Sequence, residues 1–210
     1  MTMTNEEMEI ISKEPNLFYL RLEDVSQLLS SCREAGIAVE DLMELPVKRQ
    51  REKAAERLLL CRAFGQPVSL CHDSQGAPFV DGVEVNISIT HTQRLVALAV
   101  DNSQVIGIDA EQADRQQVVR VRDKFLNASE KQFVAADDLA AHIIAWTAKE
   151  AVIKAERNSA LDWTDGICLD PYKPDPVKTV LTARCGARRY RLTSCLLDGH
   201  YITLAIPALE

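Results

Sequence analysis

Two long helical segments, each followed by strands of alternating polarity, set the limits on what this chain can fold into. The first segment, Val47 to Phe64, opens after Pro46 and closes at Gly65. It places Ala54, Ala55, Leu58, Leu59 and Cys61 at helical spacing. The second runs from Asp138 to Arg157. After the first come Val85 to Thr90 and Leu95 to Val100, which alternate and are separated by His91-Thr92-Gln93-Arg94. After the second come Thr179 to Ala183, Ala187 to Thr193 and Tyr201 to Ile206. Strands joined by such short links pair antiparallel, because a parallel pair needs a long crossover. The order predicts an α+β fold of two similar lobes related by a pseudo-twofold axis. Each lobe is a small antiparallel sheet packed on a long helix. The lobes span 1–103 and 104–210 and join near Asp101 to Gln104.

Other elements fill in the frame. Phe18 to Leu22 reads as a strand, and Glu23 to Ala35 as a helix closed by Gly36. Gly76-Ala77-Pro78-Phe79 and Asp81-Gly82 are turn signals. Val105 to Ala110 reads as a short strand, and Gln112 to Arg122 as a polar loop running into a helix. Asn127-Ala128-Ser129-Glu130 has the form of a helix start, with Asn127 as cap and Glu130 three residues on. Pro171, Pro174 and Pro176 mark a loop.

Composition removes several classes of function. The chain is 47% apolar and 26% charged, an ordinary globular balance. Its net charge of −7 argues against a general nucleic-acid binder, which is usually basic. No run approaches the roughly 18 consecutive apolar residues of a membrane helix. Met1 to Pro15 lacks the basic segment and apolar run of a secretory signal. The six cysteines form no C-x-x-C pair, so zinc and redox motifs are unsupported and reduced thiols in a cytoplasmic protein are expected.

Three short segments carry chemistry. In Gly107-Ile108-Asp109-Ala110-Glu111, a strand would project Asp109 and Glu111 from one face. Neighbouring carboxylates repel unless a proton or cation lies between them. Hard oxygen ligands of this kind suit Mg²⁺, although a D-x-E pair alone also suits a solvated strand end. In Trp146-Thr147-Ala148-Lys149-Glu150-Ala151-Val152-Ile153-Lys154, a helix places Trp146, Glu150 and Lys154 on one face. That pattern serves a cleft or an exposed Glu–Lys pair. In Asn86-Ile87-Ser88-Ile89-Thr90-His91, the histidine follows a strand, where it could bind a phosphate or cap the turn.

Taken together, N-I-S-x-T-H, G-I-D-x-E and W-T-x-K-E-x-x-x-K stand in an order that resembles the 4′-phosphopantetheinyl transferases, specifically the single-chain, two-lobed surfactin-synthetase-activating type. The likeness runs from about Lys48 to about Lys154 and takes in Phe125-Leu126-Asn127-Ala128-Ser129-Glu130, similar to the family's F-x-x-x-E segment. The resemblance implies that Asp109, Glu111 and Glu150 bind the metal, Mg²⁺ with Mn²⁺ as an option. It implies that Lys149 and Lys154 lie near a pyrophosphate, and that His91, with Thr90, contacts the 3′-phosphate of coenzyme A. It matches Lys48, Arg49, Arg51 and Arg57 to a basic segment for nucleotide phosphates. Ala77 stands where many members carry lysine, and Ala113 where a hydroxyl is frequent.

The reaction so implied moves the phosphopantetheine arm of coenzyme A, the co-substrate, to a serine of an apo acyl or peptidyl carrier protein, releasing 3′,5′-ADP. Glu150 or a metal-bound water accepts the serine proton. Lys154 offsets charge on the leaving group, and Lys149 positions the pantetheine-side phosphate. A −7 enzyme would dock an acidic carrier through apolar contacts and a local basic patch, for which Arg120, Arg122 and Lys124 are candidates. With both lobes in one chain, a monomer is expected, without nucleic-acid or membrane partners. The alternatives are a catalytically silent module that binds coenzyme A or a carrier protein, and an Mg²⁺-dependent phosphohydrolase.

Overall fold

The computed structural model describes residues 15–208. The leader-segment reading of Met1 to Pro15 therefore lies, apart from Pro15, outside the described residues. Fourteen elements follow in order: β1 (Asn16–Arg21), α1 (Val25–Glu34), α2 (Val47–Phe64), β2 (Leu70–His72), β3 (Pro78–Val80), β4 (Asn86–His91), β5 (Leu95–Asp101), β6 (Gly107–Gln112), α3 (Gln117–Arg120), α4 (Leu139–Glu156), β7 (Ile167–Leu169), β8 (Lys178–Cys185), β9 (Arg188–Leu197) and β10 (His200–Pro207). The strands form a three-stranded sheet β1-β5-β4, a five-stranded sheet β6-β10-β9-β8-β7, and a β2-β3 hairpin. Every strand pair is antiparallel among the described residues, so the chain is a mixed α+β protein.

The two larger sheets pack face to face. Strand β5 is buried along its whole length, which explains its unbroken apolar run. Its Val96, Leu98 and Val100 face a core built with α1 and α2. Its Leu95, Ala97 and Ala99 face a second core shared with Ile108 and Ala110 of β6 and Ile202 and Leu204 of β10. A third core lies between α4 and the outer face of the five-stranded sheet. The halves are unequal: three strands against five, with the β2-β3 hairpin and α1 added to the first.

Local chemistry sets the helix ends. Helix α2 closes on Gly65, whose φ of 72° is the left-handed conformation glycine adopts without strain. Helix α4 starts at Asp138, whose side chain accepts from the Ala141 amide at 2.9 Å. Strand β6 and α4 approach so closely that a Cβ on Gly107 would overlap the Ala151 carbonyl oxygen and sit 2.8 Å from the Ala155 nitrogen. Asp198 and Gly199, with φ of 48° and 70°, make the two-residue turn between β9 and β10.

Some sequence expectations shift. Asn127 and Glu130 do bond reciprocally, each side chain accepting the other's amide at 2.9 Å. No long helix follows, only a 3-10 turn over Glu130–Gln132. Glu130 is buried there as the ion-pair partner of Lys149. The short strands β2, β3 and β7 were hidden among turn residues. All six cysteines are free, three of them buried and three partly so. No helix among the described residues is long and apolar enough to cross a membrane.

Candidate active site

Asp109 lies on edge strand β6 and is supported from two sides. The Thr90 hydroxyl on β4 donates to its Oδ1 at 2.9 Å, and Lys154 Nζ on α4 donates to the same oxygen at 2.8 Å. Lys154 also donates to the Ile108 carbonyl at 2.8 Å. Glu150, one helical turn before Lys154, feels Asp109 as a like charge. Burial first, and then Asp109, push its carboxyl up to about 7, with Lys154 acting in the opposite direction. The face read from sequence as Glu150 plus Lys154 thus meets the strand read as Asp109. Trp146 leaves that face for an aromatic cluster, its ring 5.3 Å from Phe125 and 4.7 Å from Trp163.

Lys154 also lines a cavity of about 370 Å³ between α2, β4 and the end of α4. Arg49 and Lys53 enter it from α2, His91 from the end of β4, and Arg157 from the end of α4. Gly76, Ala77 and Pro78, read from sequence as a turn, also line it. A second, more polar cavity of about 440 Å³ adjoins it, sharing Glu52 and His91, and is lined further by Lys48, Glu111 and Arg115. Glu52 gathers basic side chains between the two: buried itself, it pairs with Arg49 at 2.8 Å and stands 3.9 Å from both Lys48 and His91.

Four residues expected to meet phosphate are engaged otherwise. Lys149 is wholly buried, its ammonium 2.7 Å from Glu130 and 2.6 Å from the Trp163 carbonyl oxygen. Burial pulls its pKa below the ordinary lysine value, against the pull of Glu130. Arg57 makes a bidentate pair with Asp41 at 2.6 and 2.8 Å and lines a different cavity. Arg51 supports the turn after β4 by donating to the Gln93 carbonyl at 2.8 Å. Thr90 spends its hydroxyl proton on Asp109 and is buried rather than open to a phosphate.

The carboxylates also differ from expectation. Among the described residues, no three His, Cys, Asp or Glu side chains are grouped to hold a metal ion. Glu111 makes an ion pair with Arg115 and accepts the Gln112 amide at 2.8 Å. Asp109 and Glu150 remain a repelling pair of hard oxygen donors. That donor set fits Mg²⁺, which usually takes one or two carboxylates and completes its shell with phosphate and water.

Sequence reasoning missed Glu52, Lys53, His72 and Arg157. Arg157 was within reach, since it follows Lys154 by three residues and so shares its helix face. Its φ of 52° at the end of α4 sets the side chain toward Asn86 at 3.4 Å and the cavity. Lys53 and Glu52 sit one turn from Arg49, a spacing that signals only local pairing. His72 carried no signal.

Residues 105–204 match the model of the 4′-phosphopantetheinyl transferase superfamily. The matched segment contains Asp109, Glu111, Glu150 and Lys154 and ties this part of the chain to phosphopantetheine transfer in general. No curated protein matches the chain.

Proposed function

We propose that this protein is a 4′-phosphopantetheinyl transferase that moves the phosphopantetheine arm of coenzyme A to a serine of an apo acyl or peptidyl carrier protein. The observation that carries this reading is the convergence of Asp109, Glu150 and Lys154 beside a cation-lined cavity, with the Glu150 carboxyl near neutrality. A carboxylate raised in this way by burial and by Asp109 is a stronger proton acceptor than an ordinary one.

In the proposed step, the serine oxygen bonds to the pantetheine-side phosphorus while that phosphorus parts from the bridging oxygen. The serine proton goes to Glu150, and 3′,5′-ADP leaves with its new charge met by Lys154. When bound, Mg²⁺ (or Mn²⁺) neutralises and orients the pyrophosphate. Asp109 and Glu150 would hold it, with Glu111 joining once its carboxylate leaves Arg115. Lys154, Arg157 and His91 offer donors to a nucleotide with a 3′-phosphate, and Arg49 and Lys53 would join on leaving Glu52 and Glu56. Lys149 acts here through the fold and not on phosphate.

In this proposal residues 1–103 form the nucleotide-phosphate lobe and 104–210 the metal lobe of a monomer. Arg120 and Lys124, exposed beside α3, meet the carrier.

The test is mass spectrometry of candidate apo carriers incubated with the protein, coenzyme A and Mg²⁺. A gain of one phosphopantetheine is expected. Unmodified carriers with phosphate or ADP released in their absence would make the protein a hydrolase instead. Tight binding without either product would make it a silent module.

A further inference from the structure

The turn that follows His91, the last residue of β4, meets the five-stranded sheet at a buried pair, Thr92 and His200. They are 9% and 3% exposed. Every hydrogen-bonding position of the pair is accounted for. The Thr92 hydroxyl oxygen accepts the amides of Arg94 and Leu95, each at 3.1 Å, so both lone pairs are engaged. Its proton is left for His200 Nε2, 3.1 Å away. On the other side of the ring, Nδ1 lies 2.8 Å from the Asp198 carbonyl oxygen, which can only accept. The proton therefore sits on Nδ1, and the Nε2 lone pair faces Thr92.

Two other ties, from Arg51 to the Gln93 carbonyl at 2.8 Å and from Leu22 to the Arg94 carbonyl at 2.7 Å, grip the backbone of the same turn. Within the turn, the Thr92 hydroxyl adds two bonds to the one its own amide makes with the Leu95 carbonyl at 2.8 Å, and His200 fixes that hydroxyl. His200 in turn is aimed by the Asp198-Gly199 turn immediately before it. An apolar residue at 200 would leave both the Thr92 hydroxyl and the Asp198 carbonyl without this partner, which explains a histidine at a site so dry.

We propose that His200 is a positioning residue for phosphate recognition: it locks Thr92, and Thr92 steadies the turn beside His91, at the end of the β4–β5 ladder, so that His91 keeps its place in the cavity lining. The inference rests on the reading of that cavity as a coenzyme A site. The residue acts from the five-stranded sheet on a contact made by the three-stranded one, and it touches neither ligand nor metal.

Calorimetric titration of the full chain with coenzyme A and with dephospho-coenzyme A tests this. Wild-type protein should prefer the former; equal affinity would end the reading of the cavity, whatever His200 does. Given that preference, His200→Phe should reduce it about tenfold, the worth of one hydrogen bond of about 1.4 kcal/mol. Dephospho-coenzyme A should bind as before. His200→Gln, which returns an acceptor oxygen near the Nε2 position, should restore most of the preference. Thr92→Val, close in shape to the native residue, should reproduce the loss, and combining it with His200→Phe should add little because the two act as one unit. If His200→Phe does not fold, Thr92→Val decides alone. Unchanged preference in Thr92→Val, or equal losses for both ligands in the variants, overturns the proposal and leaves His200 a core residue.

Discussion

Helices α2 and α4 have the same length, 18 residues, and opposite electrostatic economies. Helix α2 carries Lys48, Arg49, Arg51, Lys53, Arg57 and Arg62, and its partners are close by. Arg49 and Lys53 pair with Glu52 and Glu56 one turn on, and Arg57 with Asp41. Helix α4 carries only two lysines and is buried over most of its length. There, Lys149 meets Glu130 inside the core, while Glu150 and Lys154 meet Asp109 at a sheet edge. Abundant charge at a surface neutralises itself locally. Sparse charge under burial has few partners, and at Glu150 burial and Asp109 raise the carboxyl to about 7.

The sharpest way to break this comparison is Lys149→Met. Glu130 would remain buried with its charge unmatched, and unfolding in urea should show a loss of about 3–5 kcal/mol. Adding Glu130→Gln should return much of it. Intact stability with lost coenzyme A binding would instead move Lys149 into the site and remove the distinction between the two lysines of α4.

Glu150 offers the next largest effect. Its carboxyl stands at about 7 against an ordinary 4.5. The stability this group contributes is therefore fully present below about 4.5 and is lost as pH rises through about 7. Turnover runs the other way, because only the carboxylate accepts a proton, so the rate should climb toward a plateau above pH 7. Mg²⁺ should move that limb to lower pH by favouring the ionised form. Glu150→Gln should abolish the limb and lower turnover about a hundredfold, within the usual range for a positioned base. A pH–rate profile unaltered in this variant would assign the proton to another group.

The smallest effect belongs to α2. Arg57→Ala removes a pair whose partner Asp41 is exposed, and it should cost no more than about 1 kcal/mol in thermal unfolding. Coenzyme A affinity should not change. A substantial loss of affinity would mean that Arg57 leaves Asp41 for the nucleotide and that α2 is less self-neutralised than it stands here.

The same contrast explains what could be read in advance. Both long helices, the strands after them, and the shared face of Glu150 and Lys154 follow from periodicity, which burial enforces; that Asp109 joins them was implied by the resemblance alone. Which cations of α2 enter the cavity does not follow. Basic residues occur around most of that helix, so no single face stands out, and the selection is made by Glu52. Lys149 was misplaced because it adjoins Glu150 in sequence, although neighbours in a helix point about 100° apart. Its partner, Glu130, sits in a separate segment that resembled a helix start. The engagement of Glu111 by Arg115 likewise depends on the loop after β6, whose path no periodicity records.

Gly107 bears on all of this without any chemistry of its own. Strand β6 delivers Asp109 and helix α4 delivers Glu150 and Lys154, and at Gly107 the two backbones touch with no side chain between them. The gauge of the site is thus set by a hydrogen atom. Any larger residue there would act as a shim, lifting the helix from the strand and separating acid, base and cation together, with every reacting group still in the sequence.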